Sequence, residues 1–275
     1  MIFNNKTVIV TGGSEGVGAA VARKFAEAGA NLMLVARSKK NLEAVAEELR
    51  DLTHVEIFAM DVTDTDACVD VFKKAQFEFG RVDILINNAG CHHRGLVRDV
   101  TADDLGRIID VNLKAPIMLS RIALPYLEEN GGAIINVASL AGRTAVPGSA
   151  TYSSSKFGLR IFSRALADEL RDTDIKVATV SPGPVSTAFI LTGIDEVSDI
   201  TFSQPMSTAE EVAQAILDLC GNNIHEQAMP ALSGFLATLS YLFPWLGRLM
   251  KPTLERKGAK AKREWKRKMQ TRKEP

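Results

Sequence analysis

At 275 residues the chain is long enough to bury a substantial core, and 46% hydrophobic with 24% charged residues is the balance of a folded globular protein, not of a disordered or fibrous one. Three cysteines, Cys68, Cys91 and Cys220, share no short spacing, so the chain shows neither a disulfide framework nor a cysteine zinc site, and a reducing compartment suits it. The formal net charge is zero, yet residues 251–275 carry eleven Lys and Arg against three Glu, so a tail near +8 balances a body near −8.

The N-terminus reaches a strand-like run by Thr7 with no basic region followed by an apolar stretch, which is not the pattern of a secretory leader. From there two periodicities alternate. Short apolar, β-rich runs are expected as strands at Thr7–Val10, Asn31–Val35, Val55–Ala59, Val82–Ile86, Ala133–Val137 and Lys176–Val180. Stretches with helical spacing, such as Ala19–Ala28 and Leu42–Leu49, lie between them. Strands that are apolar throughout imply burial on both faces, hence a parallel sheet. Strand-then-helix repetition with right-handed crossovers predicts a doubly wound α/β fold. Ligands of such sheets sit outside the carboxyl ends of the strands, so the residues following each strand are the informative ones.

After the first strand comes Thr11-Gly12-Gly13-Ser14-Glu15-Gly16-Val17-Gly18, leading into a helix. Glycines there permit positive φ and close backbone approach, and a helix N-terminus offers free N–H groups to a pyrophosphate. Gly12, Ser14, Gly16, Val17 and Gly18 are the candidate cofactor residues of this turn. The second strand ends at Ala36-Arg37-Ser38-Lys39-Lys40, without the acid that would bind a ribose 2′-hydroxyl. Arg37 instead suits a 2′-phosphate and favours NADP(H) over NAD(H), with Glu15 in the preceding loop acting mildly against it. Asp61 and Val62 close the third strand, where the Asp61 carboxylate is placed to accept from an adenine amino group. Asn88, Ala89 and Gly90 follow the fourth strand in a turn of small residues that lets a ligand approach.

Ser139 follows the fifth strand directly, and Tyr152 and Lys156 follow in Tyr152-Ser153-Ser154-Ser155-Lys156 at the start of a helical run. Separation by four puts phenol and ammonium on one helical face, where the ammonium is expected to stabilise the phenolate and lower a pKa of about 10. A phenol so tuned gives and takes protons near neutral pH. Ser139 would hold a substrate oxygen where charge develops. Asn112, in the middle of a helical stretch, is disfavoured there unless it has a task.

With these residues in order, the sequence resembles a classical short-chain dehydrogenase/reductase over residues 5–190. The resemblance rests on Thr11-Gly12-x-x-x-Gly16-x-Gly18, Asn87-Asn88-Ala89-Gly90, Asn112, Ser139, Tyr152-x-x-x-Lys156 and Pro182-Gly183. It implies a Rossmann fold and hydride transfer between a nicotinamide cofactor and a ketone or secondary alcohol. It further implies that Asn112 holds a water in a proton relay with Lys156. Pro182, Gly183, Val185 and Thr187 would lie on the carboxamide side of the nicotinamide, and Lys156 would reach its ribose. A homodimer or homotetramer, formed through the helical region 101–129 and the helix after Tyr152, is implied by the same analogy. Two other readings stand beside it, a soluble 3-oxoacyl-thioester reductase and a cofactor-sensing binding protein without turnover. His92 and His93, without an acid or cysteine at ligand spacing, read as loop residues at the substrate mouth and not as metal ligands. No metal is expected.

The sequence divides into a dinucleotide-binding and catalytic unit, 1–229, and a C-terminal extension, 230–275. Residues 227–247 hold no Asp, Glu, Lys or Arg and include Phe235, Tyr241, Phe243 and Trp245, and the basic tail follows. A membrane-spanning helix, an interfacial element with the tail on anionic headgroups, and a pocket cover or subunit contact with a solvated tail all fit this composition. Pro230, Gly234, Pro244 and Gly247 argue against spanning, and the interfacial reading is favoured, with a cytoplasmic protein touching the membrane peripherally. That reading implies an apolar substrate, in keeping with a resemblance to the steroid and lipid-ketone reductases of the family. With Trp265 its only aromatic and no binding motif, the tail is not expected to bind nucleic acid.

Overall fold

A computed structural model describes residues 3–271. Its first half alternates strand and helix: β1 Thr7–Thr11, α1 Gly16–Glu27, β2 Asn31–Ala36, α2 Lys39–Leu49, β3 Val55–Ala59, α3 Thr65–Phe79 and β4 Ile84–Asn87. Then follow α4 Ala102–Ile109, α5 Ala115–Asn130, β5 Gly132–Val137, α6 Ala150–Glu169 and β6 Ile175–Pro182. The chain closes with α7 Ala188–Leu191, α8 Ala209–Gly221, β7 Glu226–Met229, α9 Ala231–Leu242 and α10 Pro244–Thr271. All seven strands run parallel in the order β3-β2-β1-β4-β5-β6-β7, so the winding reverses between β1 and β4.

The physical reason for a two-sided sheet is visible along β1. All five residues are buried, with Val8 and Val10 in one core and Ile9 in the other. Phe25 of α1, Leu42 of α2 and Ile216 of α8 complete the first core. Phe72 of α3, Leu119 of α5 and Leu166 of α6 complete the second. The expected strands are found within one or two residues at most boundaries. The seventh, Glu226–Met229, carries no apolar run, because as a short edge strand its residues are exposed or half-buried.

The C-terminal extension forms two helices that return over the carboxyl end of the sheet. Gly234 packs α9 so tightly that a Cβ there would lie 2.3 Å from the Ala228 Cβ of β7. Gly258 lets α10 run against the 199–203 turn, where a Cβ would meet the Asp199 carbonyl oxygen at 1.8 Å. Among the described residues no helix is long and apolar enough to cross a membrane, which removes the spanning reading. The basic tail is helical as far as Thr271 and part of it is engaged: Lys262 donates to the Val197 carbonyl at 2.6 Å and pairs with Asp199 at 3.2 Å, and Lys266 pairs with Asp195. Residues 272–275 of the tail lie outside the described residues.

Candidate active site

The reversal of winding between β1 and β4 opens a cleft of about 1720 Å³ across the carboxyl ends of the strands. One half is the glycine turn. Gly12 and Gly16 take φ of +67° and +55°, which L side chains rarely adopt. Gly18 is packed against the same turn, where a Cβ would lie 2.0 Å from the Gly12 carbonyl oxygen. The Asn88 side chain fixes this turn by donating from Nδ2 to the Thr11 carbonyl at 2.9 Å. Thr11 returns the tie, its Oγ1 accepting from the Asn88 and Ala89 amides at 3.0 and 3.1 Å. The carbonyl ends of β1 and β4 are thereby locked together, leaving the open amides of α1 facing a concave, glycine-lined cradle. A dinucleotide pyrophosphate fits such a cradle, which side chains would fill.

Gly12, Ser14, Gly16, Val17, Arg37, Asn88, Ala89 and Gly90 all line the cleft, as do Pro182, Gly183, Val185 and Thr187 on the opposite wall. Thr187 closes over the glycine turn, since a Cβ at Gly16 would sit 3.5 Å from its methyl. Arg37 is exposed at the end of β2 beside Ser38, whose hydroxyl caps α2 by accepting from the Asn41 amide at 3.3 Å. Gly18, Asp61 and Val62 lie behind the lining. Asp61 is already engaged: Oδ1 accepts from the Thr63 amide and hydroxyl at 3.0 and 2.8 Å, and Oδ2 is ion-paired with Arg107. An adenine amino group would therefore share a carboxylate with Arg107, a competitor that lies 46 positions away in the chain.

The catalytic candidates converge on the other half. Gly142 allows the turn after Ser139 to press on α6, where a Cβ would come within 2.6 Å of the Lys156 carbonyl carbon. This contact brings Ser139 beside the Tyr152 hydroxyl, near enough to draw the phenol's pKa down. Ser139 Oγ also accepts from the Ala141 amide at 3.1 Å, which fixes its rotamer. Lys156 is 5% exposed and donates to the Val137 carbonyl at 2.8 Å, its Nζ 5.9 Å from the centre of the Tyr152 ring.

Here the structure corrects the expectation for Tyr152. Its phenol is held above the ordinary value by burial, with the Ser139 hydrogen bond and the Arg94 charge acting in the opposite direction. Lys156 does not lower it, because burial moves the lysine itself down to about 8 and its ammonium is turned to the Val137 carbonyl. Asn112 is also placed differently from a regular mid-helix residue. It sits in a π-helical turn, Asp110–Lys114, between α4 and α5, fully buried. Its Oδ1 accepts from the Cys91 amide at 2.9 Å, while Nδ2 donates to the Cys91 carbonyl at 2.9 Å and the Ser155 hydroxyl at 3.2 Å. A Cβ at Gly90 would touch both Asn112 Oδ1 and Lys156 Nζ, at 3.3 and 3.8 Å, so the two flank that glycine.

Two readings of the sequence, His92 at the substrate mouth and the extension as a pocket cover, gain their geometry only here. The Tyr152 ring is stacked by His92 at 4.3 Å and 25°, with Phe189 6.3 Å away. The far wall is built by the extension, with Leu232, Leu236, Tyr241, Arg248, Lys251 and Leu254 lining the cleft. An apolar residue in α9 or α10 gave composition but not the face it would turn inward. Among the described residues no cluster of His, Cys, Asp or Glu suits a metal ion.

The comparisons with known proteins agree with this architecture. The short chain dehydrogenase family matches residues 6–193. An uncharacterised oxidoreductase of Staphylococcus aureus (strain USA300) is 34% identical over 226 residues, 82% of this chain and 96% of that protein. A 3-oxoacyl-[acyl-carrier-protein] reductase, FabG, of Thermotoga maritima is 32% identical over 228 residues, 81% of this chain and 93% of its own length. A solved short-chain type dehydrogenase/reductase from Mycobacterium marinum superposes with a TM-score of 0.76 at 26% identity, covering 82% of this chain and 94% of that one. A seven-stranded parallel sheet with a glycine cradle at its switch point, a Ser-Tyr-Lys group beside it and a family match over most of that sheet lead to one assignment: the chain belongs to the short-chain dehydrogenase family.

Proposed function

We propose that the protein is an NADP(H)-dependent oxidoreductase that interconverts a hydrophobic ketone and its secondary alcohol. The observation that carries this reading is the Tyr152 hydroxyl, set beside Ser139 in a cleft whose one half is the glycine cradle and whose other half is lined largely by apolar residues. The nicotinamide supplies the hydride when bound. Tyr152 stays protonated through neutral pH and delivers the proton to the carbonyl oxygen as the carbon is reduced. Ser139 donates to that same oxygen as negative charge builds on it. Lys156 reaches the ribose side of the cradle, and Asn112, beside Gly90 and Lys156, positions the Cys91 segment and the path by which Tyr152 is reprotonated. Gly18 and Val62 support the cradle from behind, and Asp61 is the adenine-side acceptor shared with Arg107.

Arg37 is the cofactor selector in this reading, an exposed guanidinium at the β2 end with no acid next to it in the chain. The unmodified protein is expected to bind NADPH at least tenfold tighter than NADH, and Arg37→Asp to reverse that order. Fluorescence titration of both cofactors on both proteins measures it, and a native preference for NADH would remove Arg37 from this role.

A peripheral contact with the cytoplasmic membrane face belongs to the same proposal. Phe235, Leu242 and Trp245 are each at least 60% exposed on α9 and the start of α10, outside the cleft lining, and the basic run of α10 follows them. Vesicles containing anionic lipid should pellet the native protein about tenfold more efficiently than a Phe235→Ser, Leu242→Ser, Trp245→Ser variant. Equal pelleting would remove the membrane contact while leaving the reductase intact. The surface of α4, α5 and α6 is the proposed subunit contact, with Ile161 of α6 60% exposed.

The similarity to the Thermotoga protein favours a second reading, reduction of a 3-oxoacyl thioester. A substrate panel followed by NADPH absorbance separates the two. Turnover of thioesters in preference to free hydrophobic ketones would select the second.

A further inference from the structure

On the substrate side of Tyr152, two side chains have hydrogen-bonding capacity that the protein does not use. His92 lies over the Tyr152 ring, and its Nε2 is buried without a partner. Phe189 sits 6.5 Å from His92, and Arg94 lies over Phe189 with Cζ 5.9 Å from the ring centre. A guanidinium has five N–H donors. Arg94 makes one hydrogen bond with the described residues, from Nη2 to the Phe189 carbonyl at 2.8 Å, and none of their carboxylates comes within ion-pair distance. Glu196 attracts it only from further off.

Both groups line the cleft, together with the apolar Leu96, Val146 and Leu236. A half-buried cation without a counter-ion has lost hydration that an incoming anion would restore. His92 complements it as a neutral partner, since burial and the neighbouring Arg94 and His93 charges take its pKa down to about 4. Its Nε2 can therefore make one hydrogen bond to the same incoming group near pH 7.

We propose that the substrate is an amphiphilic oxo acid, whose carboxylate is held by Arg94 and His92 while its carbonyl oxygen lies between Tyr152 and Ser139. This rests on the reductase reading of the cleft. The Arg94 charge is partly offset by Glu196, which favours a monoanion over a phosphate dianion. Arg94 and Tyr152 both lie near the Phe189 ring, 5.9 and 6.3 Å from its centre, so the oxo group stands near the acid end and the alkyl body extends towards α9.

Calorimetry with decanoate, decanol and decyl phosphate, in saturating reduced cofactor, tests the anion site without turnover. Native protein should bind decanoate about 10- to 100-fold tighter than decanol. Arg94→Met should abolish that preference, and His92→Phe, which keeps an aromatic ring against Tyr152, should weaken it about threefold. Equal affinity for decanoate and decanol, a preference that survives Arg94→Met, or tighter binding of decyl phosphate would each overturn the proposal. In the kinetic arm, Arg94→Met should raise KM for 3-oxodecanoate about tenfold or more and KM for its methyl ester by about twofold or less. An ester used as well as the acid by the native enzyme would also overturn it. Absence of reduction with every ketone, beside an intact calorimetric preference, would overturn the reductase reading alone.

Discussion

Replacing Tyr152 with Phe is expected to lower kcat for carbonyl reduction by about 10³-fold, with cofactor affinity and melting temperature close to native. The ring keeps its stack on His92 at 4.3 Å, so the packing of the site survives and only the proton donor is lost. Stopped-flow or steady-state rates at saturating substrate measure the effect, and activity within tenfold of native would refute the role. The pH dependence gives an independent check. The Tyr152 phenol is raised, so it remains the protonated acid throughout the neutral range. Lys156, lowered to about 8, is the group that titrates first on the alkaline side. Below that pH its ammonium is present, and above it the charge is lost. In the free enzyme kcat/KM should therefore decline as pH rises through about 8, and Lys156→Arg should move the decline to higher pH.

The second large effect is expected at Gly18. A Cβ there would lie 2.0 Å from the Gly12 carbonyl oxygen and 2.6 Å from Asn88 Nδ2, so helix and turn must separate to admit even alanine. Gly18→Ala should cost about 1–3 kcal/mol of stability and weaken cofactor binding about tenfold or more, because the displaced segment is the cradle itself. Gly106→Ala is the matched control. Nothing lies within 4 Å of a Cβ at that position of α4, so helix propensity should make the change neutral or stabilising by up to about 1 kcal/mol. Thermal melts and cofactor titrations of the pair distinguish local crowding from a general intolerance of substitution.

The contrast between these two glycines marks the boundary of what the chain alone reveals. Both are glycines inside a helix, and only the approach of α1 to the β1 turn makes one indispensable. The sequence by itself determined the alternation of elements, since apolar runs such as Thr7–Val10 can be buried on both faces only in a covered parallel sheet. It also set Gly12 and Ser139 at the carboxyl edge of the sheet, because in a doubly wound sheet the residues after each strand fall on one edge, and both line the cleft there. Tertiary structure decided the rest. Lys156 has the right spacing to act on Tyr152, yet burial and the Val137 carbonyl govern its charge, and desolvation depends on everything packed around a group and not on its neighbours in the chain. Asp61 acquired Arg107, and Tyr152 acquired His92, from positions tens of residues away. The uncharged segment 227–247 had the composition of an interfacial element and of a pocket wall alike. Its fold serves the second with the face of α9 that lines the cleft and leaves Phe235 and Leu242 exposed away from it, a division that composition cannot make because it fixes how apolar a helix is and not which neighbours its faces meet.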